Sequence, residues 1–138
     1  MSAAAKSDRR FAFKLDLRSG VPVYRQIIDQ VLGGIAAGSL KAGDQLPTVR
    51  QLAVDLSINP NTVVRAYREL EIRGVLATQQ GTGTFLTDQK AQPNELERRR
   101  RIAQLAGEML ARAGAQGIAL GELVDYLSEL HEEQRKGK

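Results

Sequence analysis

Residues Gly43 to Phe85 read GDQLPTVRQLAVDLSINPNTVVRAYRELEIRGVLATQQGTGTF. Val49, Leu52, Ala53 and Leu56 recur at helical spacing, with Arg50, Gln51 and Asp55 off the stripe and Thr48 placed to cap the first amides. Ser57 and Ile58 make a turn. Asn59 then offers a side-chain oxygen to free amides, and Pro60 needs no hydrogen bond in a first helical turn, so a second helix starts there. Val63, Ala66, Tyr67 and Leu70 form its inner face, leaving Asn61, Thr62, Val64, Arg65 and Arg68 on or near the outside. Gly74 is suited to end that helix in the left-handed conformation.

After Gly74 the period changes from helix to strand. Val75–Thr78 and Thr84–Thr87 read as two strands joined by Gln79 to Gly83, where Gly81 and Gly83 permit the positive φ of a tight hairpin. Gly43 to Pro47 reads as a turn that buries Leu46. Two short helices joined by about four residues and followed by a hairpin are the layout of a winged helix-turn-helix, whose second helix is sized for a DNA major groove.

Upstream, Val23, Ile27, Val31 and Ile35 recur every four residues, widened by Tyr24, Ile28 and Leu32, in a helix opened by Pro22 and stopped near Gly38. Gly33 and Gly34 weaken its interior by roughly 1 kcal/mol each relative to Ala, which marks close backbone packing. Phe13, Leu15 and Leu17 alternate with charges, as in an extended segment lying on the domain. Downstream, helical patterns run over residues 95–112 and 120–134, separated by Gly114-Ala115-Gln116-Gly117. The expected organisation is a flexible tail (1–12), a winged helix-turn-helix domain (13–88), a linker around Pro93 (89–94) and a two-helix dimerisation region (95–138). The fold class is mainly α with a small β-hairpin.

Composition narrows the function. The chain has no Cys and a single His131, so it offers no disulfide, thiolate metal site or Cys nucleophile, and neither metal nor cofactor is expected. No Walker-type loop or paired carboxylates suggest an enzyme; Glu132 and Glu133 read as a solvated helix end. No apolar run approaches the roughly 18 residues of a membrane span, and MSAAAKSDRR lacks the apolar core of a signal peptide, so a cytoplasmic protein is expected. A net charge of +4 favours a polyanionic partner, modestly.

If that partner is double-stranded DNA, chemistry selects the contacts. Asn pairs bidentately with adenine and Arg with guanine, while Thr meets a thymine methyl or a phosphate. Asn61, Thr62 and Arg65 therefore lead, with Arg68 behind them; Asn59 reads first as a cap and second as a base contact. Arg50 gains nothing from the helix dipole at its position, which favours a role toward phosphate or base. Gln80, Gly81 and Thr82 let backbone amides approach a sugar-phosphate strand, against the plainer reading of an ordinary hairpin.

These residues resemble the GntR family of bacterial transcription regulators. The resemblance lies in Leu46-Pro47-Thr48-Val49-Arg50, Leu52-Ala53, Asn61-Thr62-Val63, Arg65-Ala66-Tyr67, Leu70, Gly74 and Gly81-Thr82-Gly83-Thr84-Phe85. It implies DNA contacts from Arg50, with Thr48 beside it in the Leu-Pro motif, from Asn59 to Thr62 with Arg65, and from Gly81. Pro60 stands where many members carry a basic residue and Val64 where another Arg is common. The Asn59-Pro60-Asn61-Thr62 version resembles the YtrA-type subfamily, which implies a repressor controlling a transporter operon.

About 45 residues follow the wing, too few to enclose a ligand cavity alone. Leu96, Ile102, Leu105, Ala106, Met109 and Leu110 form one stripe, and Leu120, Leu123, Val124, Leu127 and Leu130 another. Such a hairpin, with no core of its own, is expected to bury Leu105, Met109, Leu120, Leu123, Val124, Leu127 and Leu130 in a homodimer. Arg98 to Arg101 read first as a solvated face and second as DNA contacts; His131 reads as a surface or interface residue. A small-molecule effector between hairpin and winged domain, or autorepression without ligand, are both compatible. The expected function is a dimeric regulator binding a palindromic operator, and the alternative is a winged protein-interaction or non-specific DNA-architectural module.

Overall fold

The computed structural model describes residues 11–88 and 94–136, and the chain divides after Gln89 into two compact units. The linker expected over 89–94 lies outside the described residues except for Asn94, as does most of the expected tail.

In the first unit α1 (Val23–Ala37) buries Ile27, Ile28 and Val31, and Gly38 ends it at φ 87°. The stripe fails at Ile35, which is 41% exposed above an open depression floored by Leu40, Val75 and Leu86. Of the two interior glycines only Gly34 serves packing: a Cβ there would lie 2.7 Å from the Phe11 ring and 3.0 Å from Leu40, whereas Gly33 faces open space. Phe11, placed within the tail by its sequence context, is therefore part of the fold, and it stacks edge-on with Phe13 at 5.0 Å.

Two glutamines strap this extended segment to α1. The Gln30 amide exchanges both hydrogen bonds with the Lys14 backbone, and Gln26 does the same with Asp16 at 2.8 and 2.9 Å. The geometry follows from the two periods, since four helical residues rise ~6 Å and two extended residues span ~6.6 Å. Gln26 is buried, and its amide also donates to the Val21 carbonyl at 2.9 Å.

Helix α2 (Val49–Leu56) starts at a capping box in which the Thr48 hydroxyl accepts from Gln51 N at 3.1 Å and Gln51 Oε1 accepts from Thr48 N at 3.0 Å. Ser57 ends it at φ 55°, a non-glycine in the left-handed region. Helix α3 (Pro60–Ile72) buries Val63, Ala66, Tyr67 and Leu70 as the pattern predicts, packing on α1 and α2.

The sheet has one strand more than the expected hairpin. Gln45 and Leu46, read as turn, form β1 (Gln45–Leu46) against β3 (Gly83–Leu86), with β2 (Leu76–Gln79) on the other side in the order β1-β3-β2. Leu46 faces Thr84 and Leu76 faces Leu86, all in antiparallel register. A two-residue strand has no period to detect. It satisfies the edge of β3 that a simple hairpin would leave open, reinforced by Leu86 N donating to Asp44 O at 2.8 Å.

The second unit contains α4 (Glu95–Ala115), capped by Asn94, and α5 (Leu120–Lys136). Both helices form where the stripes predict, but they do not close on each other along their length. Ala113 is the one buried residue among those described in this unit. Leu105 is 65% exposed, Leu120 55% and Leu127 45%, with Met109, Val124 and Leu130 also exposed and Leu123 half-buried. A self-contained hairpin would require the two stripes to face one another; here, among the described residues, the two helices do not pack along each other.

Candidate nucleic-acid interface

The geometry of the predicted contact residues begins at the Leu46-Pro47-Thr48 run. Leu46 is a buried strand residue, Thr48 caps α2, and the carbonyl between them accepts a 2.7 Å hydrogen bond from the buried Tyr67 hydroxyl of α3. One short segment thus fixes the start of α2 against the middle of α3. Arg50, the second residue of α2, is exposed by that arrangement and has no carboxylate partner among the described residues. Burial pushes the Tyr67 phenol far above its ordinary value, so the hydroxyl remains a donor through the physiological range.

On α3, Asn61, Val64, Arg65 and Arg68 share one outward face with Glu69 and Ile72, lining a shallow open depression. Spacings of three and four residues put them there, opposite the buried Val63, Ala66, Tyr67 and Leu70. Asn59 and Thr62 do not line this depression. The Asn59 side chain accepts from Asn61 N at 2.8 Å, the cap that its sequence position predicts, and Thr62 is half-buried with its amide donated to Asn59 O at 3.0 Å. Thr48 has likewise committed one lone pair of its hydroxyl oxygen to the capping box, leaving its O–H and a second lone pair for another partner.

Arg65 is exposed, but its guanidinium lies 3.7 Å from the centroid of the Tyr24 ring on α1. This contact was not legible in the sequence, where Tyr24 registers only as part of an apolar stripe. Arg68 is exposed with no carboxylate partner among the described residues.

At the wing tip Gln80, Gly81 and Thr82 are exposed, in a turn closed by Thr82 N donating to Gln79 O at 2.9 Å. Gly81 has φ 80° and Gly83 φ 132°, conformations that call for glycine. A second feature hidden from the sequence supports this tip. The Gln45 side chain of β1 donates to the Thr82 carbonyl at 3.1 Å and lies against Gly83 where a Cβ would project.

The profile of the family described as bacterial regulatory proteins, gntR family, matches residues 23–86, from α1 through β3. The HTH-type transcriptional repressor YtrA of Bacillus subtilis is 34% identical over 125 residues, which span 91% of this chain and 96% of that relative. The chain belongs to the GntR family. An HTH-type transcriptional regulator of Mycobacterium tuberculosis is 36% identical over 117 residues, covering 85% of this chain and 92% of its own. Among solved structures, YtrA from Sulfolobus acidocaldarius, a GntR-family transcription factor, superposes with a TM-score of 0.54 at 34% identity, over 72% of this chain and 97% of its own.

This GntR member is thus a DNA-binding transcription regulator of the YtrA kind and not an enzyme. The 125 residues matched to the Bacillus subtilis repressor are more than the first unit holds, so that likeness extends into the second unit. No described helix is long and apolar enough to cross a membrane.

Proposed function

We propose that the chain is a repressor that binds a palindromic operator as a homodimer, each copy placing α3 in a major groove. The observation that carries the reading is the outward face of α3. It offers a base-reading amide at Asn61 and, at Arg68, a cation with no carboxylate partner among the described residues, while the opposite face is spent on the core. Arg50 and the Gln80-Gly81-Thr82 tip supply contacts to the sugar-phosphate strands on either side, with Thr48 and Asn59 in lesser roles because their side-chain oxygens serve as caps, and Thr62 because it is half-buried.

The partner on the second unit is another copy of the same chain. Leu105, Met109, Leu120, Val124, Leu127 and Leu130 are exposed and Leu123 is half-buried, and burying four or five such side chains contributes roughly 1.5 to 3 kcal/mol each. Two-fold symmetry then sets half-sites about 34 Å apart, or a multiple of it. A transporter operon is the target that the YtrA likeness favours, and repression by occupancy needs no effector.

Genome-wide footprinting identifies the operator, and titration of that labelled duplex at rising salt tests the reading. Arg50→Ala and Asn61→Ala are each expected to weaken binding by about 1 to 3 kcal/mol, with the salt slope shallower by about one for Arg50→Ala alone. Equal affinity for a scrambled duplex would instead support an architectural or protein-binding module.

A further inference from the structure

We propose that Tyr24 is a positioning residue for DNA binding: its ring holds the Arg65 guanidinium beside α3 as a preset fork for one phosphate. The inference rests on the operator reading above and adds to it a residue from outside the helix-turn-helix. Three observations meet at this pair. The guanidinium carbon is 3.7 Å from the ring centroid, within cation–π contact. Arg65 makes no hydrogen bond or ion pair among the described residues, so the ring is the one group that orients it. The Tyr24 hydroxyl has no hydrogen bond among the described residues either, which leaves the ring face as the working part of that side chain.

The chemistry separates holding from binding. A guanidinium stacked on a ring uses its π face, while its N–H donors lie in the plane and point away from the ring edge. Those donors match two phosphate oxygens in the bidentate geometry that Arg favours. Arg65 lies one turn beyond Asn61 on the outward face of α3, farther from the helix's N-terminal tip, and its guanidinium rests on the ring from α1. A helix seated in a major groove meets the phosphate strands at its flanks and the base edges at its tip. A free arginine would have to give up its rotamer freedom on binding, whereas the stacked one has given up most of it already.

The test is operator titration with the full-length protein, four single variants of Tyr24 and Arg65 and one double variant, alongside thermal unfolding and the salt slope. Arg65→Ala is expected to weaken binding and lower the salt slope by about one, uniformly across operator sequences. Tyr24→Leu is expected to weaken it about five-fold with little further loss when combined with Arg65→Ala, while Tyr24→Phe stays within about two-fold of the native protein. Arg65→Lys keeps the charge, leaves α1 untouched and is expected to lose about as much as Tyr24→Leu, which covers the case in which Tyr24→Leu fails to fold. Native affinity in folded Tyr24→Leu or in Arg65→Lys overturns the proposal, as do losses of Tyr24→Leu and Arg65→Ala that simply add. If Arg65→Ala binds normally while Arg50→Ala and Asn61→Ala do not, the stack is excluded and the operator reading stands. If none of these variants weakens binding, the operator reading falls and the stack with it.

Discussion

The two units spend most of their leucines in opposite ways. In the first, Leu40, Leu46, Leu52, Leu70, Leu76 and Leu86 are all at most 4% exposed, gathered from helices, strands and a loop. In the second, Leu96, Leu105, Leu110, Leu120, Leu127 and Leu130 all stand in solvent on two helices that do not pack along each other. The same side chain stabilises the fold of one unit and is uncompensated in the other. Contiguous apolar surface of this kind marks an interface. The contrast teaches that the winged unit is complete within one chain, whereas the helical unit is stable in the proposed scheme only when two chains share their stripes.

The largest expected effect comes from breaking that sharing. Leu123→Arg with Leu127→Arg places two charges one turn apart on α5, and sedimentation is expected to show a monomer. Losing the linkage between two half-site contacts should cost at least about 100-fold in operator affinity, while unfolding of the winged unit is unchanged. A double variant that remains dimeric would remove α5 from the interface.

Leu70→Ala gives the next effect, in the other currency. Leu70 is fully buried on α3, and the substitution is expected to cost about 2 to 5 kcal/mol of unfolding free energy in denaturant titration. Leu127→Ala, chemically the same change, is expected to leave the winged unit's transition alone and to raise the dimer dissociation constant instead. If both variants destabilise one common transition, the two units are not independent and the contrast fails.

Tyr67→Phe sharpens the picture within the first unit. It removes the donor to the Pro47 carbonyl and should cost about 1 to 3 kcal/mol, since that buried acceptor is left unsatisfied. Because burial raises the folded-state phenol above its unfolded value near 10, the neutral form is the one the fold favours. Its contribution is therefore fully present below about pH 10 and is lost as pH climbs toward the elevated folded value. In Tyr67→Phe that alkaline decline should diminish.

Much of this organisation is legible in the sequence, and the boundary of legibility is physical. Helices with a strong stripe and a cap, such as Thr48 to Leu56 and Asn59 to Ile72, declare themselves through period and end chemistry, and the buried residues of α3 are those the stripe names. Exposed candidates such as Asn61 and Arg68 follow by subtraction. What stayed hidden depends on contacts distant in sequence. Gln45 and Leu46 are a strand only because β3 lies beside them, Phe11 belongs to the fold only because Gly34 leaves room, and Tyr24 matters to Arg65 only through the crossing of α1 and α3. The partner of α4 and α5 is not legible for a related reason: amphipathic stripes specify that a face needs cover without saying which chain provides it.

The smallest predicted effect concerns Gln45, which joins the complete unit to its most exposed part. Its side-chain amide donates to Thr82 O at 3.1 Å and occupies the space beside Gly83, so it braces the wing without belonging to the hairpin. Gln45 is exposed, and Gln45→Ala should cost no more than about 0.5 to 1.5 kcal/mol of stability, the net value of one hydrogen bond in water. Its consequence should appear locally, as faster amide exchange confined to Gly81, Thr82 and Gly83, together with a few-fold loss of operator affinity that is the same for every operator sequence. A wing that touches only backbone carries no sequence information, so loosening it should lower affinity without altering specificity. A change in preferred sequence on Gln45→Ala would mean that the tip reads bases, and the division between a reading helix and a supporting wing would have to be redrawn.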